Sequence, residues 1–200
     1  MRPAVKPMLF VVCLAPLAWL VLRFFTDDLG VNPVETLNRT LGDWALRFLL
    51  IALAVTPLRQ LTGWAALGRL RRMLGLYAFF YVCLHVASYV GIDLYFDWAT
   101  LWKDVVKRRY ITFGMTAFVL LVPLAATSTD SMIRLLGGRR WKALHKLVYP
   151  AGILGVVHFW MMVKADIREP AIYALVLALL LGWRLIRSRL PSLTLGRTGP

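Results

Sequence analysis

The chain has 200 residues, 60% of them hydrophobic, with a mean hydropathy of +0.66 and 24 lysines and arginines against 10 acids. Soluble domains are about 45–50% apolar, so this composition excludes one and points to a multi-pass membrane protein. A net charge of +14 would suggest a nucleic-acid partner in a soluble chain, but here the excess is confined to one set of loops.

Arg2 and Lys6 precede an apolar run from Met8 to Phe25 that ends in charged residues with no small-x-small cleavage site. That pattern predicts a first membrane helix rather than a signal peptide. Residues 26–43 read as a polar loop around Gly30, Asn32 and Pro33, and residues 44–58 as a short second helix with Arg47 one turn in. A basic loop, 59–72, leads to the apolar run Met73 to Ile92, long enough at ~1.5 Å per residue to cross a ~30 Å hydrocarbon layer. Residues 93–109 mix charges with Tyr95, Trp98 and Trp102, the amphipathic aromatics of a headgroup boundary. Runs from Ile111 to Ala126 (with Pro123 inside), Leu147 to Val163 and Pro170 to Ile186 complete six predicted crossings, joined by a loop at 127–146 and a turn at 164–169. Cys13 and Cys83 fall inside apolar runs without CxxC spacing and read as buried thiols.

Six crossings put both termini on one side. That side carries 15 lysines and arginines against the single acid Asp130, while the other side carries nine of each sign. This is a positive-inside distribution, and it predicts an all-α six-helix bundle with both termini in the cytoplasm.

Three histidines remain: His85, His145 and His158. His85 lies 13 residues past Arg72 and His158 lies 12 past Lys146, both on helices predicted to run outward. The two imidazoles therefore reach the same depth, about 18–20 Å from the basic edge. Facing histidines on two helices are what a six-coordinate haem iron requires, and Gly152 and Gly155 beneath His158 are expected to leave room for the ring. The competing reading is a pair of structural histidines, each bonded to a carbonyl of a neighbouring helix. His145 belongs to a separate, cytoplasmic layer about 20 Å along its helix from His158, where it is expected either to contact a second haem, a flavin or a quinone beside cations such as Arg72, or to be an interfacial histidine near Trp141 and Lys142. Arg47 is placed where a haem propionate would point, although snorkelling explains it equally well. A proton-coupled carrier with a histidine relay is the rival function. It is disfavoured because every acid is expected in a loop or at a helix end.

The motif Arg140-Trp141-x-x-Leu144-His145-x-Leu147-x-Tyr149 with His158, and Gly75-Leu-Tyr-x-Phe-Phe-Tyr-x-x-Leu-His85, resemble the ferric-reductase-type transmembrane domain. With Trp44-Ala-Leu-Arg47, Thr56-Pro-Leu-Arg59 and Thr127-Ser-Thr, the likeness narrows to the bacterial haem-binding membrane subunits of periplasmic methionine sulfoxide reductase systems. The resemblance covers about residues 40–190, which divides the chain into a first helix and periplasmic loop (1–40), the haem-binding domain (41–190) and a cytoplasmic tail (191–200). It implies haem b ligated by His85, His158 and His145, an FMN, and electron delivery to a periplasmic molybdenum-cofactor reductase that repairs oxidised methionines. Superoxide-generating oxidases of the wider superfamily carry two histidines on helix three where this chain has one, and they continue into a flavin and nicotinamide domain. The sequence ends 11 residues after Arg189. The expected donor is therefore the quinone pool or a separate cytosolic flavin reductase, and the chain itself is an electron-transfer subunit without substrate chemistry.

Overall fold

The computed structural model describes residues 5–163 and 165–189; Arg2, Lys164 and the expected tail 191–200 lie outside them. The described chain is helical, with α1 Val5–Phe25, α2 Pro33–Thr62, α3 Arg71–Ser88, α4 Trp98–Lys107, α5 Arg109–Ala126, α6 Asp130–Leu136, α7 Gly138–Leu144, α8 Val148–Met162 and α9 Arg168–Arg189. A 3-10 turn, Ala65–Arg69, precedes α3, a π-helical turn, Tyr89–Asp93, extends it, and a second 3-10 turn, His145–Leu147, leads into α8.

Five segments are long and apolar enough to cross a membrane: Lys6–Phe25, Pro33–Thr62, Ala65–Asp93, Arg109–Ala126 and Arg168–Arg189. The helix expected at 147–163 forms as α8, but its 15 residues span only about 22 Å.

The second helix departs most from expectation. The polar stretch 26–43 is not a loop: α2 starts at Pro33, so the boundary placed at residue 40 falls inside it. Its start is fixed locally. Asn32 caps the helix, its Oδ1 accepting from the Glu35 N–H at 3.3 Å while its Nδ2 donates to the Glu35 carboxylate at 3.0 Å. Pro33 takes the first-turn position, where its missing N–H costs nothing, and the Arg39–Glu35 pair at 2.7 Å adds an i,i+4 contact. Gly63, at φ +68°, ends the helix in the left-handed conformation glycine adopts without strain. One consequence corrects the acid count: Asp43 stands in the interior of α2 rather than in a loop. The boundary segment expected at 93–109 holds the amphipathic α4, and the loop expected at 127–146 holds the short α6 and α7.

α2 is the central helix. It buries Leu41, Ala45, Leu46, Phe48, Leu49, Leu50, Ala52, Leu53 and Val55, and it packs most extensively on α3 while α5 packs on α8. α9 closes the bundle against α8 and α2, and α1 leans on α2 and α3. Two phenols fasten α1. Tyr77 donates to the Phe10 carbonyl at 2.7 Å, and the fully buried Tyr81 bridges the helix ladder beside Pro16, donating to the Cys13 carbonyl at 2.9 Å and accepting from the Leu17 N–H at 3.1 Å. Both cysteines are free thiols; Cys13 is buried as expected, whereas Cys83 is only half-buried.

Candidate functional site

His85 on α3 and His158 on α8 meet between α2, α3, α5 and α8. Their ring centroids are 6.2 Å apart and their planes 73° from parallel. Each ring is held the same way. His85 Nδ1 lies 2.9 Å from the Asn38 carbonyl on α2, and His158 Nδ1 lies 2.7 Å from the Tyr110 carbonyl on α5. A carbonyl only accepts, so both Nδ1 atoms carry the proton and both Nε2 atoms keep a free lone pair in the neutral ring. The structural and the ligand readings of these histidines are thus compatible, since one nitrogen serves each.

A glycine stands one turn after each accepting carbonyl. A Cβ added at Gly42 would come within 3.1 Å of the His85 ring, and one at Gly114 within 2.8 Å of His158 Nδ1. The same device, a helical carbonyl at position i and a glycine at i+4, therefore seats both imidazoles on their neighbouring helices. Gly152 and Gly155 do a different job from the one expected of them. Their added Cβ atoms would meet Leu177, Leu49 and Leu46 at ordinary contact distances of 3.6–3.9 Å, so they pack α8 against α2 and α9. Asn38 completes the shell, donating from Nδ2 to Ser88 Oγ at 2.9 Å and to the His85 carbonyl at 3.2 Å.

This donor set fits a haem. Two imidazoles bound to one metal from opposite sides at ~2 Å each place their centroids about 6 Å apart, as these are. Among the described residues no group of three or more His, Cys, Asp and Glu gathers, so the protein offers two nitrogens of the kind a macrocyclic metal takes as axial ligands.

The other expected residues make contacts of their own. Arg47 donates from Nε to the Tyr173 hydroxyl on α9 at 2.6 Å and covers the Trp44 ring at 5.0 Å. His145 stacks on Trp141 at 3.9 Å and places Nε2 3.2 Å from Thr127 Oγ1. Burial and then the nearby Arg71 charge lower its pKa, so it favours the neutral form that can ligate or accept. His145 and Arg72 line one cavity of about 380 Å³, together with Arg59, Arg71 and Arg184. Arg72 pairs there with Asp130 of α6. The 3-10 turn at His145–Leu147 accounts for part of this placement. At about 120° per residue rather than 100°, it cuts the angular offset between His145 and His158 from about 140° to about 80°.

A family described as the ferric reductase like transmembrane component matches residues 41–156, a stretch that carries His85, His145, Gly42 and Gly114 and ends two residues before His158. A protein of Rhodospirillum rubrum named the protein-methionine-sulfoxide reductase heme-binding subunit MsrQ is 60% identical over 177 residues, covering 88% of this chain and 85% of its own. The chain belongs to the MsrQ family. MsrQ proteins of Polaromonas naphthalenivorans and Xanthomonas campestris pv. campestris are 53% and 54% identical, over 92% and 90% of this chain and 85% of each of theirs. As an MsrQ-family chain it is a multi-pass membrane protein of the ferric-reductase-like class.

Proposed function

We propose that this chain is the haem-binding membrane subunit of a methionine sulfoxide reductase system, with His85 and His158 as the axial ligands of a b-type haem. The observation that carries the reading is the pair of imidazoles 6.2 Å apart, each with Nδ1–H bound to a helical carbonyl and Nε2 free. When bound, the haem supplies one-electron redox chemistry. The chain's own residues do the rest. The Asn38 and Tyr110 carbonyls fix the tautomer and raise the basicity of each imidazole.

The inner cavity around His145 is the intake side of the same reading. Its arginines suit a planar anionic group, a second haem or FMN, or a quinone head, reduced by the quinone pool or a cytosolic flavin reductase. The positive-inside charge pattern supports six crossings of the bacterial inner membrane, with α8 as the fifth and both termini cytoplasmic. Electrons would then leave near His85 and His158 for a periplasmic molybdenum-cofactor reductase of protein methionine sulfoxide.

The test is an absorption spectrum of the purified chain, oxidised and reduced. A low-spin haem spectrum lost in both His85→Ala and His158→Ala is expected; either variant keeping a normal spectrum overturns the ligand assignment. A colourless wild type would return the chain to the carrier reading, for which Asp43 inside α2 is the acid the sequence reading lacked.

A further inference from the structure

α4 is turned inside out. Trp98, Leu101, Trp102 and Val105 recur at i, i+3, i+4 and i+7 and form one apolar face, with Lys103 and Lys107 opposite. A helix on a soluble surface buries such a face. Here Trp98 is 65% exposed and Trp102 71%, and Leu101 and Val105 are half-buried along the groove beside α5, while the acid Asp104 is 6% exposed. Asp104 is what docks. Its carboxylate accepts from the Tyr89 hydroxyl at 2.6 Å and pairs with Arg108 at 3.0 Å. The approach to the helix is equally fixed. Tyr95 and Phe96 both take left-handed backbone angles, φ 49° and 62°, and the Phe96 ring fills the space beside Gly91 while its N–H donates to the Val90 carbonyl at 2.8 Å. Two non-glycine residues held there cost on the order of 1 kcal/mol or more each, so packing determines the direction in which α4 leaves α3.

The outward face is continuous with a groove of about 480 Å³ between α4 and α5, lined by Trp98, Leu101, Trp102 and Val105 on one wall and Met115 and Val119 on the other. α5 is a membrane span, and its wall of the groove runs on into the exposed Val119 and Val122. Lys107, Arg108 and Arg109 stand at the corner where α4 turns into α5, which places cations at one level of a span that is otherwise apolar. An apolar wedge open towards lipid, roofed by an amphipathic helix with lysines on its far side and cations at its apex, matches one occupant in both polarity and charge. That occupant is a phospholipid, with its acyl chain in the groove and its phosphate beside the basic corner.

We infer that α4 is an in-plane membrane helix, lying on the bilayer with Trp98, Leu101, Trp102 and Val105 on phospholipid acyl chains that fill the α4–α5 groove, and with Lys103 and Lys107 towards water. The surface exposed at this end of the protein is then the lysine face of α4, and its tryptophans are unavailable to a water-soluble partner.

Nitroxide labels placed singly at Trp102→Cys and Lys103→Cys, neighbours on opposite faces, test this in phosphatidylethanolamine–phosphatidylglycerol vesicles. Cys13 and Cys83 are replaced by Ala, with Trp98→Cys as a second groove position should the first variant fold poorly. Power saturation compares collisions with oxygen, which concentrates in lipid, and with a water-soluble nickel chelate. The oxygen-to-nickel ratio is expected to be severalfold higher at 102 and 98 than at 103. Nickel access at 102 and 98 matching that at 103 would put the aromatic face in water, open to a protein, and overturn the inference. Oxygen dominance at all three positions would sink α4 into the bilayer and overturn it as well. The readout does not depend on haem.

Discussion

Arg184 on α9 donates from Nη2 to the main-chain carbonyl of Leu53 on α2 at 2.7 Å. Leu53 is four residues before Pro57, which has no N–H to give that carbonyl, so the arginine satisfies an acceptor that the proline orphans inside a membrane span. Its guanidinium also lies over the Tyr149 ring at 5.3 Å. Replacing Arg184 with Leu should destabilise the fold by about 1–3 kcal/mol, the usual cost of an unsatisfied buried acceptor. Pro57→Ala restores the N–H and should recover part of that loss. Thermal unfolding of the two single variants and the double variant in detergent checks the coupling, and additive effects would refute it.

The glycine device gives a graded prediction. Alanine is the better helix former by about 1 kcal/mol, so Gly42→Ala and Gly114→Ala should fold at least as well as the parent by propensity alone. Any loss must then come from the ring each new methyl meets. At Gly114 the contact is 2.8 Å and something has to shift, whereas at Gly42 it is 3.1 Å and a small adjustment suffices. Haem content per folded protein, read from reduced-minus-oxidised spectra, should fall strongly in Gly114→Ala and weakly in Gly42→Ala. The reverse order would mean that the imidazoles do not sit on these glycines when the metal is bound.

His145→Ala should leave the spectrum of the outer pair in place, because His145 belongs to a different cavity and bonds Thr127 instead. Reduction by quinol or reduced flavin in membranes should slow sharply, while dithionite still reduces the haem. Disappearance of the low-spin spectrum from a folded variant would make His145 a ligand of the same iron.

Topology can be read with reporters. A fusion after Pro200 is expected to report cytoplasm, and one inserted at Gly30, in the turn between α1 and α2, to report the periplasm. The opposite pattern would reverse the direction of electron flow.

The depth match of His85 and His158 was legible because basic flanks mark where a helix enters the bilayer, and counting residues from them carries a real distance. Their partners were hidden. Nothing in the sequence marks the Asn38 and Tyr110 carbonyls, since every residue has one, and Gly42 falls in the stretch expected as a loop while Gly114 lies on a different helix from His158. A glycine facing a histidine on a different helix is visible only once the register between helices is known. The start of α2 was different, for its signal was present. Asn32, Pro33 and Glu35 are a cap, a first-turn proline and a reciprocal acid in the expected order, but polarity read at face value made them a loop. His145 resisted because its orientation depends on a 3-10 turn that shifts phase without leaving a compositional trace.

The carbonyl that seats His158 belongs to Tyr110, the second residue of α5, and His85 lies only three residues before α3 gives way to its π-helical extension. The imidazole pair thus sits within a turn or two of one end of the bundle, under a lid of roughly 10 Å of protein. On the proposed reading, a haem held that shallow would need no internal relay on that side. A reductase resting against the ends of α3 and α5 would draw electrons straight through that thin roof, and the rate of exchange would depend on how closely the two proteins fit rather than on any side chain between them.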